Sequence, residues 1–355
     1  MRILQICRRF GPVGGMERYV WELCRELAAL GHHIEVLCEV DLSSEPLHGV
    51  DVYSLGTVRP RPRWLAHLRF SRHVHDWLDQ HADSSRIIHS HERCDIHHVT
   101  TFHGPPFATV KDRPFWKRLS VRIEMNLWLE QRELCGEHVQ QIVPNSAYIR
   151  QQLAHYYPES EQRLSSPIAP GVSPVQAREK NKLVLENAGV IGFIGKEWKR
   201  KGLQEAIAML AKLSKKRPNI RFLVAGAPPK DIQHLFQDVD FKFELLGRVD
   251  PYSFYAQLDV LLHPAHQEPY GMVITEALSA GVPVVISDRC GAATEIHPDL
   301  GRVLSLNDSV NDWADAMDEQ LKGSYEAIAY QRNWQHVALE YLAVYQRIQM
   351  TQERL

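Results

Sequence analysis

The sequence predicts an α/β protein built of two doubly wound halves, and three observations predict it. A strand-like run, a glycine turn, an amphipathic helix and a second strand succeed one another between Arg2 and Glu39, and the same succession restarts at Val190. A Pro-rich segment, Pro167 to Pro174, lies between the two patterns. The chain has 355 residues, more than one hydrophobic core usually serves.

Taken in order, Arg2 to Cys7 reads as a strand, Gly11, Gly14 and Gly15 as a turn, about Glu17 to Ala29 as a helix closed by Gly31, and Ile34 to Glu39 as the next strand. This is a βαβ unit, so a right-handed crossover and a parallel sheet are expected. In the second half Val190 to Ile194 is a strand, Gly195 to Gly202 a basic turn, Leu203 to Ser214 a helix and Ile220 to Ala225 a strand ending at Gly226. Asp231 to Phe236 has helical character and Lys242 to Leu246 is strand-like. The halves are divided as residues 1–172 and 173–333. Sheets of this kind bind ligands at the carboxyl ends of their strands, so the active site is expected in a cleft between two facing domains.

Composition narrows the function. A net charge of -2 argues against a nucleic-acid binder. Six scattered cysteines without a Cys-x-x-Cys pair fit reduced thiols and make structural zinc improbable. No apolar run approaches the roughly 18 residues that span a bilayer, and Met1 to Ile6 is too short, before Arg8 and Arg9, for a signal peptide. A cytoplasmic protein, peripheral on a membrane at most, is expected.

The segment His263 to Glu276 carries the most chemistry. Leu258 to His263 reads as a buried strand and Met272 to Ser279 as a helix, which puts Tyr270 and Gly271 at the turn and Glu268 in the loop. On one continuous helix, residues eight apart are roughly 80° out of register. Glu268 and Glu276 therefore converge on a ligand only if the first precedes the helix. The amides of Gly271, Met272 and Val273 at the helix mouth suit a phosphate, and Gly271 admits it closely. The two glutamates are then left for uncharged groups such as hydroxyls. Most Glu residues are simply surface acids, and here the local context outweighs that. Lys196, Lys199, Arg200 and Lys201 lie between a strand and a helix, where a solvated basic turn is the plain alternative.

Five pieces of the chain resemble retaining glycosyltransferases of the GT-B fold, family 4. They are Gly14-Gly15-Met16-Glu17-Arg18, Thr101-Phe102-His103-Gly104, Pro170-Gly171-Val172, Gly195-Lys196 with Lys201-Gly202, and Glu268 to Glu276 followed by Gly281 to Val285. Finer wording, such as Leu262 to Glu268 and Cys290-Gly291, is similar to lipopolysaccharide core glucosyltransferases that use UDP-glucose. The resemblance implies that a final helix, 334–355, returns to the first domain. It implies that Glu276 holds the ribose hydroxyls, that Glu268 lies near the transferred sugar, and that Lys196 and Lys201 face the diphosphate. Lys196 stands where the family often has Arg and supplies a point charge without the planar fork. Arg200 is a further candidate for that role. Gly14 and Gly15 approach the donor or the acceptor, and their spacing is not the Gly-x-Gly-x-x-Gly of a dinucleotide fingerprint. His103, one of nineteen histidines, is singled out above His89, His91, His97 and His98 by the same resemblance, which puts it beside the reactive carbon.

No metal site and no cofactor are expected. Asp238-Val239-Asp240 reads as a loop acid pair, and phosphate charge is left to lysines and helix-end amides. The expected reaction is hexose transfer from a UDP-sugar, with UDP-glucose favoured, to a saccharide or lipid-linked saccharide. Two basic, aromatic stretches, Arg59 to Arg72 and Lys111 to Arg118, have the composition of a surface that rests on anionic lipid, or that binds a phosphorylated acceptor, with a solvated loop as the plain alternative. A sugar-nucleotide epimerase and a non-catalytic homologue are the alternatives. The first would act without an acceptor, and the second would lack the phosphate ligands that are present here.

Overall fold

Hydrophobic strands flanked by amphipathic helices set the architecture, seen here in a computed structural model that describes residues 1–178, 184–323 and 330–352. The chain divides into two compact units, Met1–Gly171 with Asn333–Leu355, and Val172–Arg332. The expected boundaries lay at 172/173 and 333/334.

The first unit runs β1 (Arg2–Ile6), β2 (Arg9–Phe10), α1 (Met16–Ala29), β3 (His33–Cys38), β4 (Val40–Asp41), β5 (Val50–Ser54), α2 (Arg63–Gln80), β6 (Arg86–Ser90), β7 (Val99–Phe102), α3 (Val121–Cys135), β8 (Gln141–Pro144) and α4 (Ala147–Tyr156). Its six-stranded sheet has the order β5-β3-β1-β6-β7-β8, and the pairs are parallel. β2 and β4 form a separate two-stranded ribbon.

The second unit runs β9 (Ala188–Ile194), α5 (Leu203–Leu213), β10 (Asn219–Ala225), α6 (Pro229–Ile232), β11 (Lys242–Gly247), α7 (Pro251–Phe254), β12 (Val260–His263), α8 (Met272–Ser279), β13 (Val284–Ser287), β14 (Gly301–Leu304) and α9 (Val310–Lys322). Its sheet order, β11-β10-β9-β12-β13-β14, repeats the first. In each sheet the order reverses beside the first strand, at β1/β6 and at β9/β12. Loops at the carboxyl ends of those strands diverge and leave a crevice.

Packing follows from pattern. In α5 the residues Leu203, Ala206, Leu210 and Leu213 recur on one face and join Phe193, Phe222, Leu262 and Trp313 in one buried cluster. The first sheet buries an ion pair, Arg86 to Glu35, with two guanidinium bonds of 2.8 and 3.3 Å. Removing Glu35 alone would leave the buried Arg86 guanidinium without its carboxylate, at a cost of about 3–5 kcal/mol.

Two features differ from the sequence reading. The stretch from Arg63 onward is helical, starting after Pro62, where a loop was the plain reading of the Arg59 to Arg72 segment. Asp231 to Phe236 is split between the four-residue α6 and a 3-10 turn, because two prolines precede it and few residues follow. The last helix, α10 (Trp334–Gln352), belongs to the first unit; residues 353–355 of the expected helix lie outside the described residues. Gly171 explains one motif, since a Cβ there would collide with the backbone at Asn333 and Trp334 where α10 begins.

Candidate functional site

In the second unit the switch point carries a tight ionic cluster. β9 ends at Ile194, Lys196 follows as an exposed side chain, and the turn delivers Lys201 back over Gly195. A Cβ at Gly195 would occupy the path of the Lys201 stem, so a larger residue there would displace Lys201. Beyond β12, the loop carries Glu268, pinned by its backbone: its amide donates to the Arg289 carbonyl and its carbonyl accepts from Gly291, both at 2.9 Å. Glu268 is 7% exposed, and its carboxylate meets Lys201 Nζ at 3.0 Å, His263 Nε2 at 3.3 Å and Arg200 Nη1 at 3.5 Å. Burial alone would push this carboxyl up; Lys201, His263 and Arg200 reverse the sign and hold it well below the usual carboxylate range. Burial keeps His263 neutral against the pull of Glu268. The cluster therefore holds a fixed negative charge ringed by two fixed cations.

Arg200 is engaged on several sides. It bonds Glu197 Oε2 at 2.9 and 2.7 Å, donates to the Gln267 carbonyl, and lies beside Glu268. These contacts tie the Glu268 loop to the basic turn. α8 opens at Gly271 in the left-handed region, φ 98°, where a Cβ would crowd Ile274 and the Glu268 side chain. Met272 and Val273 begin the helix, and first-turn amides lack intrahelical acceptors. Glu276 lies one turn further on, 5% exposed, and accepts a 2.6 Å bond from Tyr255 Oη. The sequence reading kept Lys201 and Glu268 in separate roles, whereas the structure joins them as one pair.

The first unit has its own cavity, about 560 Å³, at the carboxyl ends of β1, β6 and β7. Arg8, Glu39, His67, Glu92, Arg93 and His103 are among the residues that line it. Its charges are largely spent internally. Arg8 makes a bidentate pair with Glu39 at 2.6 and 3.0 Å, and Arg93 reaches Glu130 at 3.0 Å. Burial pushes the Glu92 carboxyl up to about 7, although Arg8 opposes it, and burial lowers His67 and His103 each to about 3. Neutral imidazoles and a half-protonated acid therefore line the cavity near neutral pH.

His103 sits just after β7, its Nε2 2.8 Å from His91 Nδ1, with the Tyr19 ring edge-on at 4.8 Å. Gly14 and Gly15 open α1, and Met16 and Glu17 of its first turn reach the cavity. Among the described residues, its chain neighbours apart, nothing lies within 4 Å of where a Cβ at Gly15 would sit, so packing does not demand glycine there. The residues from sequence thus form two groups, one per unit. Lys201, Arg200 and Glu268 are in mutual contact, and Gly271 touches Glu268, while His103 belongs to the cavity of the first unit. Asp238 and Asp240 lie in the turn before β11.

Sequence reasoning passed over His89, His91 and Glu92. The available signal was the His89-x-His91 spacing at a strand end, since residues two apart on a strand share a face.

Comparison with known proteins adds the family. Residues 13–174 match the model of Glycosyltransferase Family 4, and residues 175–336 match that of Glycosyl transferases group 1, so the two together take in nearly all of the chain. The lipopolysaccharide glucosyltransferase WaaG of Escherichia coli is 24% identical over 93% of this chain and 92% of its own length. A crystal structure of WaaG superposes with a TM-score of 0.77 at 21% identity, covering 96% of this chain and 95% of that one. Anabaena Alr3699/HepE, solved with UDP-glucose, superposes with a TM-score of 0.69 at 16% identity, covering 98% of this chain and 100% of that one. Two parallel α/β units of one strand order, a cationic turn and buried acid at the second switch point, and both family models converge: the chain belongs to the family 4, group 1 glycosyltransferases and is a GT-B glycosyltransferase.

Proposed function

We propose that this enzyme moves a hexose from a UDP-sugar, with UDP-glucose favoured, to a saccharide acceptor, with retention of anomeric configuration and without a metal ion. The observation that carries the reading is the Lys201–Glu268–Arg200 cluster beside the mouth of α8. It supplies fixed positive charge and free amides where a diphosphate needs them. The solved complex of HepE with UDP-glucose supports the choice of donor.

In this mechanism the bond from the anomeric carbon to the diphosphate breaks through an oxocarbenium-like transition state. Lys196, Lys201 and the amides of Gly271, Met272 and Val273 meet the charge that grows on the departing phosphate. The acceptor oxygen bonds to the anomeric carbon on the same face, and its proton passes to the departing phosphate oxygen. Glu268 accepts hydrogen bonds from hydroxyls of the transferred sugar and keeps Lys201 in place through their 3.0 Å pair. Arg200 holds the loop, Glu276 takes the ribose hydroxyls, and His103 positions the sugar from the first unit. Gly14 and Gly15 leave room for substrate.

The acceptor we favour is a lipopolysaccharide core at the cytoplasmic face of the membrane, in line with the name of the Escherichia coli relative. The two basic stretches separate in the structure. Phe115, Trp116, Leu119 and Val121, each more than 60% exposed, sit among Lys111, Arg113, Lys117 and Arg118. The Arg59 to Arg72 stretch shows no comparable apolar group. Exposed aromatics among cations suit an anionic lipid surface, so the first set is our candidate for membrane contact. Among the described residues no helix is long and apolar enough to cross a membrane.

Nucleotide release in EDTA tests the reading. UDP-glucose, UDP-galactose, UDP-N-acetylglucosamine and GDP-mannose are supplied with and without a lipopolysaccharide core acceptor. Acceptor-dependent UDP release is expected, with UDP-glucose preferred. Sugar interconversion without acceptor would make the enzyme an epimerase, and release only after adding a divalent ion would overturn the metal-free mechanism.

A further inference from the structure

Behind His103 runs an unbroken chain of buried hydrogen bonds that passes through the C-terminal helix. His103 Nε2 lies 2.8 Å from His91 Nδ1, and His91 Nε2 lies 2.8 Å from Gln5 Oε1. Gln5 Nε2 donates to Tyr345 Oη at 3.1 Å, and that hydroxyl lies 2.7 Å from His89 Nδ1. His89 Nε2 then meets Thr101 Oγ1 at 2.7 Å, Thr101 meets Tyr341 Oη at 2.6 Å, and Tyr341 meets Tyr19 Oη at 2.9 Å. Gln5 and His89 are fully buried, and Tyr345 and Tyr341 of α10 seal the far side. All these residues belong to the first unit.

An imidazole held between two partners must donate to one and accept from the other, so the orientation of the Gln5 amide determines the run from His91 to His103. A neutral imidazole has one N–H and one lone pair, and burial keeps His89, His91 and His103 neutral. With the Gln5 carbonyl facing His91, His91 must carry its proton on Nε2. Its Nδ1 then accepts, and His103 must donate from Nε2. His103 Nδ1 is left as a lone pair, and it has no hydrogen-bond partner among the described residues while the ring lines the cavity.

We propose that Tyr345, Gln5 and His91 are positioning residues that lock His103 in the Nε2–H tautomer, so that its Nδ1 accepts a hydrogen bond from a saccharide hydroxyl. This rests on the assignment of His103 to the substrate site. Only an acceptor at Nδ1 discriminates in favour of a hydroxyl donor; the opposite tautomer would present N–H and orient the same sugar differently. Turning the Gln5 amide over would reverse the run from His91 to His103, and that is the competitor.

Imidazole nitrogen NMR on 15N-histidine protein, assigned by a His103→Asn variant, tests this without substrate. Wild type is expected to show a protonated Nε2 and a bare Nδ1 for His103. Tyr345→Phe and Gln5→Met, the first removing only a hydroxyl on a helix outside the cavity, should mix the two tautomers and lower kcat/KM about tenfold, the size of one lost hydrogen bond. A protonated Nδ1 in wild type, or a His103 signal unmoved in both variants, overturns the proposal. A locked tautomer that mixes in the variants while turnover holds keeps the relay and instead removes His103 from the reaction, which separates this failure from that of the functional reading.

Discussion

The two units share one strand order and one place for a site, yet they fill it with opposite electrostatics. In the second unit a buried carboxylate is held ionised by Lys201 and Arg200, so the switch point is a set of permanent charges. In the first unit burial wins: His103 and His67 are neutral, and Glu92 is pushed up to about 7. The difference lies in the loops. The turn after β9 brings in Lys196, Lys199, Arg200 and Lys201, whereas the loops after β1 and β6 spend their arginines on Glu39 and Glu130. Topology chooses where a ligand goes, and the loop residues choose what kind. Permanent charge suits a diphosphate, and neutral hydrogen-bonding groups suit sugar hydroxyls.

The strongest way to break this comparison is at Lys201. Lys201→Ala should lower kcat by about 100-fold to 1000-fold, as for loss of a transition-state donor. It should also lower Tm, because Glu268 loses its nearest cation. Adding Glu268→Gln should restore Tm without restoring turnover; recovery of both would reduce the cluster to a structural ion pair. At Glu276, replacement by Ala is expected to weaken UDP binding about tenfold by calorimetry, a loss equal to one or two hydrogen bonds. Unchanged affinity would remove the ribose role.

Smaller effects sharpen the contrast. Phe115→Ser with Trp116→Ser should reduce sedimentation with anionic vesicles several-fold while UDP release from a soluble acceptor stays constant. Equal sedimentation with wild type would remove the membrane surface. The smallest effect is at Glu92. Its carboxyl titrates near 4.5 in the unfolded chain and at about 7 in the fold. As pH rises between those values the unfolded state loses its proton first, so the native state loses relative stability. Glu92→Gln does not titrate and should gain about 2–4 °C in Tm over wild type at pH 8, and nothing at pH 4. The same offset at both pH values would contradict a raised carboxyl.

Much of this was legible in advance, for physical reasons. Strands and helices with strong periodicity, such as Leu203 to Leu213 and Met272 to Ser279, are local consequences of pattern. Glu268 as a loop residue and Gly271 at the helix mouth followed from helical geometry, and the structure has both. What stayed hidden was long-range. Lys201 and Glu268 are 67 residues apart, and no spacing rule joins them across β9 and β12. His91 became readable only when the fold brought Gln5 and His103 against it, with Tyr345 behind Gln5. Arg200 is a phosphate candidate by position, and its bonds to Glu197 and the Gln267 carbonyl were a further long-range feature that no spacing rule gives.

The central claim is that the second unit's cation cluster recognises a diphosphate. Calorimetric titration of UDP and UMP in EDTA, on wild type and on the folded Lys201→Ala/Glu268→Gln variant, tests it most directly. The account predicts that wild type favours UDP over UMP by about tenfold or more, the worth of a charge-assisted contact, and that the variant loses this preference while retaining UMP affinity. An undiminished preference for UDP in the variant would contradict it.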